Sequence, residues 1–343
     1  MLNYLPLPYP GELKHIYSGK AVKMFLSLLL IMTIQIARPQ PSSTPVSQKT
    51  KDLFTAIRSG SSVELEKQLT NGADVNDSLY GLSALMGATL SGSADQMKIL
   101  IDRGANVNFV SQSGMSALWL ASQDLNKIKL LIDHGADVNH HVQGYGVLVK
   151  LAAIPGTINI IKLLVDKGVD LKKSAPDNFL VYNAAASGDT AILGFFLRNG
   201  FNANDSIVFG DYPINGALFY RSSATVKMLI DNGADVNSSS RAFQLPAFNG
   251  FSPLMYAALN NDKASFYYLL EHGADPNMKN SNGYTALMLL QQAEEDDPAM
   301  TTALLKHGAE PSIKTPAGND ALHFAMQKGN TQSVAILKKY SNK

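Results

Sequence analysis

Apolar and polar positions along this chain fall into short blocks that recur. One kind of block is small and apolar throughout, as in "ALWLAS" from Ala117 and "PLMYAAL" from Pro253. A second kind follows it, with apolar residues at helical spacing: Ile128, Leu131 and Ile132; Ile161, Leu164 and Val165; Val226, Leu229 and Ile230. The spacing predicts two helices per block, the second buried along one stripe. Ser83, Ser116, Ser252 and Thr285 stand where the first helix begins and are candidate N-caps, and Pro253 suits a first helical position. A glycine closes each second helix, as expected for a residue that must take positive φ beyond the last turn. Asp or Asn and a further Gly then mark a tight β-turn.

The closing glycines fix a period. "GADVN" begins at Gly72, Gly135 and Gly233, with variants at Gly104, Gly168, Gly200, Gly273 and Gly308. Successive glycines lie 32, 31, 33, 32, 33, 40 and 35 residues apart. An interleaved series opens the first helices: "GLSAL" at Gly81, "GMSAL" at Gly114, "GFSPL" at Gly250, "GYTAL" at Gly283, and looser forms at Gly144, Gly210 and Gly318. A block with apolar residues on both sides cannot be stable alone, and stacking on neighbours buries them.

In period, opening and close, the chain resembles the ankyrin-repeat family over about residues 51–343. The resemblance implies an all-α solenoid of about nine helix-turn-helix units with β-turn fingers. The units are placed at 51–76, 77–108, 109–139, 140–171, 172–204, 205–237, 238–277, 278–312 and 313–343. The first and last have polar second helices, as terminal caps of a stack require. The family's usual His after the Leu of the opening motif occurs only as His323. Met86, Trp119, Val149, Tyr182, Asn215, Met255 and Met288 take its place elsewhere, which implies weaker local order there. Trp119 is expected to pack between units. Units four and five are degenerate, and a flexible joint is expected at them. Unit seven carries the insertion "SSSRAFQLPAFNG" and unit eight carries "EEDDP".

Ahead of the repeats, Met24 to Ile36 form an uncharged apolar run preceded by Lys14, Lys20 and Lys23. Residues 1–37 read as an extension ending in a secretory signal peptide, with Met24 as an alternative start, and 38–50 as a flexible tether. A secreted or periplasmic, bacterial protein is the expectation; the alternative is anchoring in a membrane by residues 24–36.

The formal net charge is +1, and without residues 1–37, which hold three Lys and one Glu, it is −1. Neither value points to nucleic acid or a membrane surface. The chain has no cysteine, which excludes disulfides and thiolate chemistry.

Candidate chemistry yields to the repeat. "DHGADVNHH", Asp133 to His141, holds five metal-binding residue types, but most of them align with ordinary turn residues of the other units. His140 and His141 alone are individual to this copy; they are placed at a finger tip and expected to touch a partner. The "EEDD" of Glu294 to Asp297 lacks the ligand spacing of a calcium loop and reads as a solvated insertion. Asn76, Asn204 and Asn237 open glycosylation-type triplets that coincide with the turn Asn. No phosphate loop, dinucleotide fingerprint, His-Glu-x-x-His or Gly-x-Ser-x-Gly motif is present. No catalysis, cofactor or metal is therefore expected.

The resemblance implies binding of another protein on a concave face lined by fingers and first helices. Large apolar residues in those places are the candidates: Tyr80, Phe109, Phe209, Phe243, Leu245 and Phe248 on fingers, and Phe219, Tyr220 and Leu259 at helix ends. For Phe243, Leu245 and Phe248 the alternative is packing against the insertion itself. A monomeric binding module or scaffold is the first reading. An immunity-type inhibitor of a toxin, or an exported effector that binds a host protein, is the second.

Overall fold

The computed structural model describes residues 46–121, 123–175, 178–208, 210–240, 248–293 and 295–341. These contain nine helix pairs. The pairs are α1 Gln48–Ser59 with α2 Ser62–Thr70, α3 Ala84–Ser91 with α4 Ala94–Asp102, and α5 Ala117–Leu120 with α6 Leu125–Asp133. Next come α7 Val147–Ala152 with α8 Ile158–Asp166, α9 Phe179–Ser187 with α10 Thr190–Arg198, and α11 Pro213–Phe219 with α12 Ser223–Asp231. The last three are α13 Pro253–Leu259 with α14 Lys263–Glu271, α15 Ala286–Leu290 with α16 Pro298–Lys306, and α17 Ala321–Lys328 with α18 Thr331–Ser341. The expected all-α repeat architecture is thus present. The chain divides into two compact bodies at 176/177, where the sequence pattern is degenerate; α1–α8 belong to one and α9–α18 to the other. Helix α1 begins at Gln48, capped by Ser47, so it starts three residues before the expected start of the repeats at 51. The proposed signal segment lies outside the described residues. Among the described residues, no helix is long and apolar enough to cross a membrane.

Most of the helices start and stop on local chemistry. The hydroxyls of Ser83, Ser116, Ser252 and Thr285 accept hydrogen bonds from the amides of Met86, Trp119, Met255 and Met288. Second helices end in a shared motif. Gly135, at φ +81°, donates its amide to Ile132 O at 3.0 Å, and Ala136 donates to Leu131 O at 2.9 Å. A Cβ at 135 would meet nothing within 4 Å, so glycine is required there by its backbone angle and not by space.

The two helices of a pair are buried differently. Pro253 to Ala258 in α13 are all buried, because a first helix is covered on both sides by first helices of adjacent repeats. Second helices bury a stripe: Ile128 and Leu131 in α6, Ile160, Ile161 and Leu164 in α8. Each such side chain contributes about 1.5–3 kcal/mol by leaving water. At the usual His position, Met86, Met255 and Met288 are almost wholly buried, as are Trp119 and Val149. At these five positions apolar packing takes the place of the usual polar side chain.

The fingers are short antiparallel turns. In one, β1 Ser78–Leu79 pairs with β2 Leu82–Ser83 across Tyr80 and Gly81, both at positive φ. In another, β3 His141–Val142 pairs with β4 Tyr145–Gly146 across Gln143 and Gly144. An asparagine ladder links successive turns. Asn76 donates to Gly104 O at 3.2 Å and accepts from Asn106 N at 2.8 Å; Asn108 and Asn139 repeat this with the next turn. Asn204, Asn237 and Asn277 do the same in the other body.

The structure gives His140 and His141 partners within the chain: their Nε2 atoms donate to Gly114 O at 2.7 Å and Lys173 O at 2.9 Å, on the fingers before and after their own. His134 Nδ1 donates to Leu130 O at 2.8 Å and caps α6. The acidic insertion is not merely solvated. Asp297 caps α16 through Met300 N at 2.9 Å and pairs with Lys263 at 2.8 Å. Asp296 accepts from Gln332 N at 3.0 Å and from the Ser333 hydroxyl at 2.5 Å, which holds the start of α18.

Candidate partner-binding surface

Repeats six and seven carry a compact aromatic group in the body formed by α9–α18. Phe219, at the end of α11, meets Tyr220 edge-on at 5.1 Å between centroids and Phe248 at 5.5 Å. Beneath them, Phe248 stacks on Tyr256 of α13 at 5.8 Å with 5° between planes, and Phe251 closes the group at 5.1 Å from each. The lower rings are buried, Phe248 at 4% exposure, while Phe219 and Tyr220 are half-buried. Asn260 Nδ2 donates to Leu218 O at 3.1 Å, and Arg221 donates to Asn260 O, so the ends of α11 and α13 are fastened together.

A polar group adjoins the rings. The Tyr182 hydroxyl, from α9, donates to Asp211 Oδ2 at 3.0 Å, and Tyr212 N donates to Asp211 Oδ1 at 3.0 Å. The Tyr182 ring lies over Gly216 of α11, where a Cβ would come within 2.9 Å of it. Burial pushes the Asp211 carboxyl above its ordinary range, although the Tyr212 amide and neighbouring Ser240, Tyr182 and Asn215 oppose the rise. Burial also raises Tyr182 well above the usual phenol value, and burial with the Asp211 charge raises Tyr220 to about 12. Asn215 is 0% exposed, yet among the described residues neither atom of its amide, nor the Ser240 hydroxyl, forms a hydrogen bond of ordinary geometry.

The profile of the family described as "Ankyrin repeats (3 copies)" matches residues 53–142, 180–280, 216–315 and 254–343, well over half the chain. The chain belongs to the ankyrin-repeat family. An ankyrin repeat-containing protein of Treponema pallidum (strain Nichols) is 33% identical over 113 residues, 33% of this chain and 35% of that protein. Ankyrin repeat and SOCS box protein 16 of Mus musculus is 26% identical over 265 residues, 74% of this chain and 50% of that protein. The chain thus spans half or less of the length of these relatives.

The predicted site residues of this ankyrin-repeat chain separate into groups. Phe219, Tyr220 and Phe248 are brought together, with Leu259 half-buried at the end of α13. Of the two places expected for Phe248, the structure gives the packed one: it is buried against Phe219, Phe251 and Tyr256. Tyr80 and Phe109 belong to the other body; Tyr80 is 78% exposed at its hairpin turn and Phe109 is half-buried. Phe209, Phe243 and Leu245 lie outside the described residues. Sequence reasoning missed the Tyr182–Asp211–Asn215 group. The signal was present: where other repeats put Met, Val or Trp at the usual His position, repeats five and six put Tyr182 and Asn215.

Proposed function

We propose that this chain is a non-catalytic protein-binding module whose contact surface is centred on Phe219, Tyr220 and Leu259. The observation that carries the reading is the half-buried Phe219–Tyr220 pair seated on the buried Phe248–Tyr256 stack. Rings fixed in this way lose little freedom on binding and present a large amphipathic area, which is what interface anchors require. Protein interaction is also the family's general role, and the surface falls where first helices and fingers meet. The apolar run at Met24–Ile36 after three lysines supports a secreted or periplasmic location.

A double variant, Phe219→Ser with Tyr220→Ser, tests the surface. Proteins captured by the unaltered chain are expected to be lost by the variant while its helical melt stays cooperative. Equal capture by both overturns the reading. Fractionation tests the location: mature chain starting near residue 38 is expected outside the cytoplasm.

A further inference from the structure

Gly60, Gly188 and Gly329 hold the same place in repeats one, five and nine, in the turn from first to second helix, at φ +74°, +78° and +81°. Arg221 and Asn261 hold it in repeats six and seven, at +58° and +50°. The places are equivalent, because the amide of each of the five bonds the carbonyl three residues back. A side chain at such an angle strains the backbone, and glycine is free of that strain. Asparagine tolerates the angle through its short polar side chain, a relief that arginine lacks. Arg221 thus stands where the backbone by itself favours glycine, directly after the Phe219–Tyr220 pair. Strained residues of this kind gather at binding sites.

The Arg221 side chain is exposed. Its Nη2 donates to Asn260 O, which holds the guanidinium over the joint of α11 and α13. That bond leaves four of its five N–H donors, and among the described residues no carboxylate forms an ion pair with it.

We propose that Arg221 receives an Asp or Glu carboxylate of the bound partner protein, next to the apolar group that Phe219 and Tyr220 hold. The assignment rests on the aromatic surface of repeats six and seven being the binding face, and it adds the charge of what is bound there. A guanidinium keeps its charge at any ordinary pH and presents paired N–H groups that match both carboxylate oxygens. Held by Asn260, it has already lost part of its freedom, so less ordering is lost on contact. A charge at the rim of a ring cluster avoids the cost of full burial and selects the partner more than it tightens the complex.

The full chain with isotope-labelled arginine side chains, titrated with acetyl-Phe-Glu-amide at low ionic strength, tests this by NMR. A saturable shift is expected at the Arg221 Nε–H, the resonance missing from an Arg221→Gly chain. Acetyl-Phe-Gln-amide keeps the shape and loses the charge, and should bind about fivefold more weakly. Arg221→Gly should show the same loss toward the Glu peptide while its melting temperature is kept or raised, because glycine relieves the turn. Equal affinity for the two peptides overturns the proposal, and needs no variant to fold. So does a Glu-peptide shift that spares Arg221, or an Arg221→Gly chain that binds the Glu peptide as the parent does; the arginine then only fastens α11 to α13. If the peptides fail while Phe219→Ser/Tyr220→Ser still abolishes capture, only the carboxylate assignment falls. If capture is unaffected by that double variant, the binding surface itself falls.

Discussion

Asn108 joins its own turn to Asp137 of the next repeat: its Oδ1 accepts from Asp137 N at 2.8 Å while its Nδ2 donates to Gly135 O at 2.9 Å. One amide thereby satisfies a donor and an acceptor that the second helix and the turn after it would leave to water. The same exchange recurs at Asn76 and Asn139 in this body. The asparagine closing each "GADVN" therefore acts between repeats as well as within its turn.

Asn108→Ala removes both bonds at an exposed site and should cost about 1 kcal/mol of stability in urea unfolding. Asn108→Asp keeps the acceptor and loses the donor, so its cost should be smaller. Faster amide hydrogen exchange at Asp137 in the Ala variant is the local readout, and unchanged exchange there would disprove the ladder's role.

Gly216→Ala is a second case in which two effects compete. Alanine in a helix interior gains up to about 1 kcal/mol over glycine. Here its Cβ would sit 2.9 Å from the Tyr182 ring, which is held in turn by Asp211. Overpacking of this kind costs about 1–3 kcal/mol, so the variant should be net destabilised. The melting temperature gives the sign, and the Tyr182 ring resonances show whether the ring has moved.

Asp297 is partly desolvated, which would raise its pKa, but the Lys263 ammonium and the Met300 amide hold it below the ordinary value of 3.8. A carboxyl depressed on folding stabilises the folded chain above its unfolded pKa, and that stability goes as pH falls through the folded value. Asp297→Asn should therefore flatten the acid side of the stability profile below the ordinary carboxylate range. Identical acid limbs for variant and parent, measured by thermal melts across that range, would refute the assignment.

Asp211 has the opposite sign. Its carboxyl is raised by burial, so the folded chain holds that proton more tightly than the unfolded one. The contribution is full below the ordinary value near 3.8 and declines as pH rises through the higher folded value. Asp211→Asn should thus gain stability relative to the parent between mildly acid and neutral pH. A relative stability that does not change with pH would count against the desolvated carboxyl.

The sequence alone determined the repeat register, the nine helix pairs, their hydroxyl caps at Ser83, Ser116, Ser252 and Thr285, and the glycine stops, because each of these depends on residues within one or two turns of one another. It also marked Phe219 and Tyr220 as apolar residues at a helix end that stacking leaves uncovered. Tertiary structure decided what those local patterns leave open. His140 and His141 looked free, yet they bond carbonyls 26 and 32 residues away on the adjoining fingers. Phe248 was open between contact and self-packing, and it packs beneath Phe219. Tyr182, Asp211 and Asn215 looked like unrelated departures from a repeat pattern. They meet only because stacking brings the first helix of repeat five against repeat six, and a side chain's partner one repeat away is set by that stacking and not by its neighbours in sequence.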